Sequence, residues 1–290
     1  MTAEMKTNVL VLGGTGMLGN AVLRYFAERG QYNVAATVRS PASAARLPQG
    51  FDKRVIPGVD VENVDSIARA FAAFRPQVVI NCIGLIKQLA DVEDPLIAIP
   101  VNSLLPHRLA RLCAVAGARL VHISTDCVFS GERGGYLESD VSDAKDLYGR
   151  SKYLGEVDYP NAVTLRTSII GHELGSAHGL VGWFLAQRGS VRGYTKAIFS
   201  GLPTVELSRV IHDFVLPNPA LRGVYHVSTA AIDKHSLLRL VADAYGKDIT
   251  IAPDDKLVID RSLDSSRFRA VTGYEPPQWP ALVAAMHKFG

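Results

Sequence analysis

Tyr148 and Lys152 stand four residues apart in the run Tyr148-Gly149-Arg150-Ser151-Lys152, and of the ten tyrosines only Tyr148 has a lysine at that distance downstream. On a helix the two share one face. A free phenol with a pKa near ~10 is a poor acid or base at neutral pH. A neighbouring ammonium favours the phenolate and lowers that value. Such a phenol can pass a proton to or from a substrate oxygen while hydride moves at the adjoining carbon. Upstream, Val121-His122-Ile123-Ser124-Thr125 runs into two hydroxyls. Thr125 would hold the substrate oxygen and orient it towards Tyr148. The plainer alternative is that Ser124 and Thr125 only end a strand or cap the next segment. Cys127 has no visible histidine partner, so it reads as a wall on the substrate side together with Asp126.

Hydride needs a carrier, and the N-terminus offers a place for one. Val9-Leu10-Val11-Leu12 leads into Gly13-Gly14-Thr15-Gly16-Met17-Leu18-Gly19 and then into a helical pattern. A tight turn wants no Cβ at Gly13, and Gly16 lets backbone approach a pyrophosphate. The charge of that group meets the helix N-terminus at Met17 and Leu18, and Gly19 lets helix and strand pack closely. Against this stands an ordinary glycine turn. The second apolar run ends in Val38-Arg39-Ser40. It lacks the acidic residue that would hold a ribose 2′-hydroxyl, so Arg39 and Ser40 favour NADP over NAD, unless Arg39 is simply solvated. Asp60 and Val61 fall near the adenine. Cys82, Ile83, Gly84, Asn102 and Lys152 complete the expected cofactor contacts.

Short apolar runs alternating with helical stretches are the pattern of a parallel sheet with crossover helices. Strands are expected at 8–12, 33–38, 54–57, 77–81, 119–124 and 162–167, with helices at 17–29, 64–74, 102–116 and 146–157. The fold class is α/β, a Rossmann-type doubly wound parallel sheet with a smaller C-terminal substrate-binding lobe. The dinucleotide domain is set at 1–170, with a return strand near 223–228, and the lobe at 171–290. Residues 171–203 are rich in Gly and His, and the proline-bearing tail from Tyr274 reads as irregular.

The totals exclude several classes. With 290 residues, 48% hydrophobic and 20% charged, the composition is that of an ordinary globular chain. Net charge is +3 with Lys and Arg scattered, which leaves no footprint for nucleic acid. Cys82, Cys113 and Cys127 form no CxxC and leave an odd count, which fits a reducing compartment. No signal-peptide pattern and no run of ~20 apolar residues is present, so the expectation is a cytoplasmic protein without a membrane partner. No metal ligand set is read.

Three stretches carry a family resemblance. Gly13-Gly14-Thr15-Gly16-Met17-Leu18-Gly19, Ser124-Thr125-Asp126-Cys127-Val128-Phe129-Ser130-Gly131 and the nine residues from Tyr148 to the pair Gly155-Glu156 closely resemble the dTDP-4-dehydrorhamnose reductase branch of the extended short-chain dehydrogenases. The resemblance continues through Leu165-Arg166-Thr167-Ser168, Pro203-Thr204, Tyr225-His226-Val227-Ser228 and Arg261-Ser262-Leu263-Asp264. It implies reduction by NADPH or NADH of a 4-keto group on a nucleotide-linked 4-keto-6-deoxy sugar, in surface polysaccharide precursor synthesis. By position Thr125, Tyr148 and Lys152 match the family triad, with Lys152 also binding the nicotinamide ribose.

The departures concern the sugar. Cys127 stands where the branch has Tyr, Ile169 where it usually has Trp, and the loop from Asn81 to Asp91 differs. Lys87, Asp126, Cys127, Ser168 and Ile169 are therefore the expected sugar contacts. The sugar is either dTDP-4-dehydrorhamnose or a UDP-linked N-acetylated 4-keto-6-deoxy sugar. A 4,6-dehydratase would carry Asp-Glu after the Thr, which Asp126-Cys127 does not match. A nucleotide-sugar 4-epimerase and a non-catalytic NADP-binding regulatory subunit remain as alternatives. A homodimer is compatible with all of them.

Overall fold

The computed structural model of the chain describes residues 6–85 and 90–290. Strand β1 (Asn8–Leu12) is buried over its last four residues, as expected of a strand covered on both faces. It pairs in parallel with β2 (Asn33–Thr37) on one side and β4 (Val78–Asn81) on the other, with Leu12 opposite both Thr37 and Asn81. Outside β2 lies β3 (Val55–Ile56), and beyond β4 lies β5 (Arg119–Thr125), each parallel to its neighbour. With β6 (Ala162–Thr167) and a return strand, Gly223–His226, the seven-stranded order is return strand, β6, β5, β4, β1, β2, β3. The chain leaves β1 to one side and later resumes on the other. The carboxyl end of β1 is thus the switch point at which open α/β sheets bind ligands. The expected Rossmann-type parallel sheet is the one the chain forms.

The helices start and stop for local reasons. Met17–Arg29 ends at Gly30, whose φ of 67° is left-handed and whose N–H donates to Phe26 O. Val64–Phe74 is capped by Asn63, whose side chain accepts from the N–H groups of Asp65 and Ser66. The helix expected from Asn102 begins earlier, at Pro95, where a proline costs no hydrogen bond. It passes through a π-helical stretch, Ile99–Leu104, before continuing as Leu105–Val115.

The chain divides into two units. The first gathers the chain up to Ser124 together with Ser151–Thr164 and Ala220–Val224. Its core packs Leu10, Leu12, Ile67, Phe71, Leu109 and Leu120. The second comprises Thr125–Arg150, Leu165–Pro219 and Tyr225–Gly290. It holds small sheets: Ser190–Tyr194 with Thr250–Asp254, Ile169–Ile170 with Leu202–Pro203, and Ala197–Phe199 between Ile232–Asp233 and Ile259–Asp260. The tail expected to be irregular is a helix, Trp279–Phe289, that buries Leu282, Val283 and Met286. Pro280 sits in its first turn, where the missing N–H has no intrahelical partner to lose.

Candidate active site

In the first unit the glycine loop has the geometry its spacing suggests. Gly13 has φ of 86°, a left-handed value that L side chains rarely adopt. A Cβ on Gly19 would lie 2.1 Å from Gly13 O, so no larger residue fits between helix and loop. A Cβ on Gly16 would meet only Gly13 O, at 3.3 Å, which leaves its outer side open at the start of the helix. Gly14 N donates to Thr37 O (2.9 Å), tying the loop to β2. An open glycine at a helix N-terminus fits a pyrophosphate, so the residues present suit a dinucleotide. Leu18 is buried and Met17 opens the helix.

At the carboxyl end of β2, Arg39 is exposed and makes no hydrogen bond or ion pair with the described residues. Ser40 is engaged as a cap, its Oγ accepting from Ser43 N (3.2 Å). Asp60 is exposed, with its Oδ1 accepting from Glu62 N, and Val61 is packed in the core.

Across β1 the residues after β4 close on the loop. Gly13 would carry a Cβ 2.9 Å from Ile83 Cγ1 and 3.6 Å from the Cys82 carbonyl carbon. Asn81 Oδ1 accepts from Ile83 N (3.1 Å) and its amide faces His122 Nδ1 (3.1 Å), which fixes the exit of this strand. Asn102, buried in the π-helical stretch, accepts from Leu85 N (2.9 Å) and donates to Ser151 Oγ (3.1 Å). Gly84 lies against Asn102 Oδ1 and Lys152 Nζ, 3.4 and 3.5 Å from a built Cβ. Lys152 Nζ donates to Ile123 O (2.8 Å). Burial pushes its pKa down to about 8, against the opposing charges of Glu156 and Cys82. Burial likewise raises the Cys82 thiol to about 12, against the pull of Lys152. The first unit therefore gathers Gly13, Gly16, Gly19, Cys82, Ile83, Gly84, Asn102 and Lys152 around the ends of β1 and β4.

The second unit gathers the hydroxyl groups. Thr125 Oγ1 accepts from Cys127 N and donates to Asp126 Oδ1, both at 3.1 Å. Tyr148 shares a hydrogen bond with Thr125. The expected lowering of the Tyr148 pKa is reversed within this unit. Burial raises it, and Cys127, Asp126 and Asp146 add to the rise, so the phenol stays protonated at neutral pH. Asp126 is raised by burial too, opposed by Arg261 and by hydrogen bonds from Cys127, Thr125 and Ser168. Ser168 thus joins the group, and Ile169 follows it in the strand Ile169–Ile170. Lys87 lies outside the described residues.

Tyr148 and Lys152 lie one turn apart in the single helix Leu147–Leu154. A protonated phenol bonded to a threonine hydroxyl can donate a proton to an oxyanion, and a buried ammonium can hold ribose hydroxyls. Sequence reasoning missed Ser151, which ties Asn102 to this helix, and Glu156, which accepts from Ser124 Oγ (2.7 Å). It also missed Arg261 and Lys234 beside Asp126. Glu156 and Arg261 lie in stretches that carried the resemblance; Lys234 had no signal. Among the described residues no group of three or more His, Cys, Asp or Glu could hold a metal, and no helix is long and apolar enough to cross a membrane.

The chain is similar to several known proteins. It is 28% identical over 254 residues to the "Probable low-salt glycan biosynthesis reductase Agl14" of Haloferax volcanii, covering 83% of this chain and 81% of that one. It is 29% identical over 180 residues to the dTDP-4-dehydrorhamnose reductase of Mycobacterium tuberculosis, covering 57% of this chain and about half (51%) of that enzyme's length. It is 27% identical to methionine adenosyltransferase 2 subunit beta of Danio rerio, over 82% of this chain and 73% of that one. The crystal structure of dTDP-4-dehydrorhamnose reductase from Bacillus anthracis in complex with NADP superposes with a TM-score of 0.80 at 21% identity, covering 98% and 99% of the two chains. The family model described as the RmlD substrate binding domain matches residues 6–288, and the chain belongs to that family within the extended short-chain dehydrogenases.

Proposed function

We propose that this chain is an NAD(P)H-dependent reductase of the 4-keto group of a nucleotide-linked 4-keto-6-deoxy sugar. The observation that carries the reading is Tyr148: a half-buried phenol hydrogen-bonded to Thr125 and one helical turn before a buried lysine. In this reading Thr125 holds the carbonyl oxygen. Tyr148 gives that oxygen its proton as the carbonyl becomes an alcohol, and a phenol kept neutral suits donation in the reductive direction. Lys152, whose Nζ donates to Ile123 O, takes the nicotinamide ribose in this reading and offsets the charge left on Tyr148. Bound NADPH or NADH supplies the hydride. Gly13, Gly16 and Gly19 hold the pyrophosphate, and Cys82, Ile83, Gly84 and Asn102 wall the nucleotide. Asp126, Cys127, Ser168 and Ile169 meet the sugar, and the first sugars to try are dTDP-4-dehydrorhamnose and a UDP-linked N-acetylated 4-keto-6-deoxy sugar.

The test is NADPH oxidation against a panel of dTDP- and UDP-linked 4-keto-6-deoxy sugars, with Tyr148→Phe as the control. The variant is expected to keep cofactor affinity and to lose turnover by ~100-fold or more, as loss of a positioned acid should. Near-normal turnover in the variant would remove Tyr148 from this role. The likeness to a methionine adenosyltransferase subunit supports a second reading, a non-catalytic NADP-binding subunit. It would be favoured by cofactor binding without turnover on any sugar of the panel.

A further inference from the structure

Lys152 and Glu156 are anchored on adjoining groups of β5 in the first unit. Lys152 Nζ donates to Ile123 O (2.8 Å), and the next residue of the strand, Ser124, donates from Oγ to Glu156 Oε1 (2.7 Å). The chain keeps turning past the end of the helix, with Gly155 N donating to Ser151 O (3.2 Å) and Glu156 N to Tyr153 O (3.1 Å). Positions 152 and 156 therefore stand one turn apart on the face that lies on the strand. Lys152 and Ser124 are buried and Glu156 is half-buried. A carboxylate is thus fixed, by a buried hydroxyl, one turn from a buried ammonium.

Burial strips an ammonium of its hydration and favours the neutral amine unless an anion stands near. The titratable groups of this unit that face Lys152 are Glu156, the Cys82 thiol and the His122 imidazole. Burial lifts the Cys82 thiol to about 12, so it carries no charge at neutral pH. His122 is held well below its ordinary range and is neutral as well. Gly84 and the Asn102 amide, which lie beside the same ammonium, bring no charge. Of these groups Glu156 is the one that supplies a negative charge, and it is the largest influence opposing the burial that brings Lys152 down to about 8.

We infer that Glu156 is a positioning residue for the reaction: anchored on Ser124, its carboxylate keeps Lys152 an ammonium, the form that holds the nicotinamide ribose and offsets the charge left on Tyr148. The roles of Lys152 and Tyr148 in this inference rest on the reductase reading; the coupling of Glu156 to Lys152 does not.

The experiment follows the titration of Lys152 in the full chain without ligand, by nitrogen NMR of its side chain, with the signal identified by its loss in Lys152→Met. The proteins are wild type, Glu156→Gln and Glu156→Asp. Glu156→Gln keeps the size of the side chain and an oxygen for Ser124, and removes the charge. Loss of the anion disfavours the ammonium, so the Lys152 midpoint in Glu156→Gln drops by about one pH unit or more. Glu156→Asp, which keeps the charge, holds the midpoint near wild type. NADPH affinity, read by fluorescence, weakens on the alkaline side as Lys152 loses its proton, and this limb moves to lower pH in Glu156→Gln. The alkaline limb of kcat on a keto-sugar moves the same way, with the sugar KM little changed. A purely structural Glu156 would alter the urea midpoint and leave all three pH profiles in place. The inference is overturned if Glu156→Gln leaves the Lys152 midpoint at its wild-type value, or if Glu156→Asp lowers it as far as Glu156→Gln does. Should Glu156→Gln not fold, Glu156→Asp decides: a midpoint near wild type supports the inference, and a drop of about one pH unit overturns it. A lowered midpoint in a chain that reduces no keto-sugar would count against the reductase reading alone. Keto-sugar reduction with an unmoved Lys152 midpoint would count against this inference alone.

Discussion

Arg39 leaves the carboxyl end of β2 exposed and without a partner among the described residues, beside a cap that has already claimed the oxygen of Ser40. A guanidinium so placed is available to a ribose 2′-phosphate, which only one of the two dinucleotides carries. Arg39→Ala should therefore weaken NADPH roughly 10-fold or more, the size of a charge-assisted contact, and leave NADH nearly unchanged. Fluorescence titration of both cofactors checks this, and equal losses would return Arg39 to solvent. Tyr148 shows the opposite dependence on surroundings. Its chemistry is legible from residue type and spacing, but the direction of its pKa is set by desolvation and by the charges of Cys127, Asp126 and Asp146.

The helix Leu147–Leu154 is seated by the glycine at its C-terminal end. A Cβ on Gly155 would stand 1.9 Å from Asn102 O, a distance no real contact shows, so the two backbones touch only because Gly155 has no side chain. The same π-helical stretch carries the Asn102 side chain to Leu85 N and Ser151 Oγ. Gly155→Ala must push these elements apart, and a cost of about 2–3 kcal/mol is expected from forced displacement of packed backbone. Urea unfolding should show that loss, together with weaker cofactor binding because Gly84 and Lys152 depend on the same packing. An alanine variant as stable as wild type would mean that the helix can shift freely.

At the scale of the whole molecule, buried neutral histidines make stability depend on pH. His226 is fully buried, accepts from Arg166 at Nε2 (3.2 Å) and so presents Nδ1–H to Tyr136 O (3.0 Å). Burial and the Arg166 charge lower its pKa to about 4. His122, in the first unit, is held well below its ordinary range by burial, with Lys152 and His107 adding. The unfolded chain protonates these rings near ~6.5, while the folded chain resists until much lower pH. Stability is thus fully present above about 6.5 and falls as pH drops towards 4, by roughly 3 kcal/mol for His226 alone. Unfolding midpoints measured across that window should fall with pH, and His226→Gln should flatten the slope. A wild-type midpoint that holds constant from pH 6.5 to 4 would contradict the assignment.

Features that depend on short stretches of chain are legible in the residues alone. The left-handed turn at Gly13, the close approach at Gly19, the one-turn spacing of Tyr148 and Lys152 and the strand–helix rhythm of the sheet are local, and each leaves a mark in residue type or period. Proline misled at the tail, because a helix tolerates it in the first turn and the residues alone did not show where that turn begins. Other features had no local mark. Asn102 meets Ser151, and Arg261 and Lys234 come within electrostatic reach of Asp126, only because the fold brings distant segments together. Burial works the same way: it raises the Tyr148 phenol and lowers the Lys152 ammonium through the atoms packed around them. Those atoms come from the whole fold and not from neighbours in the chain.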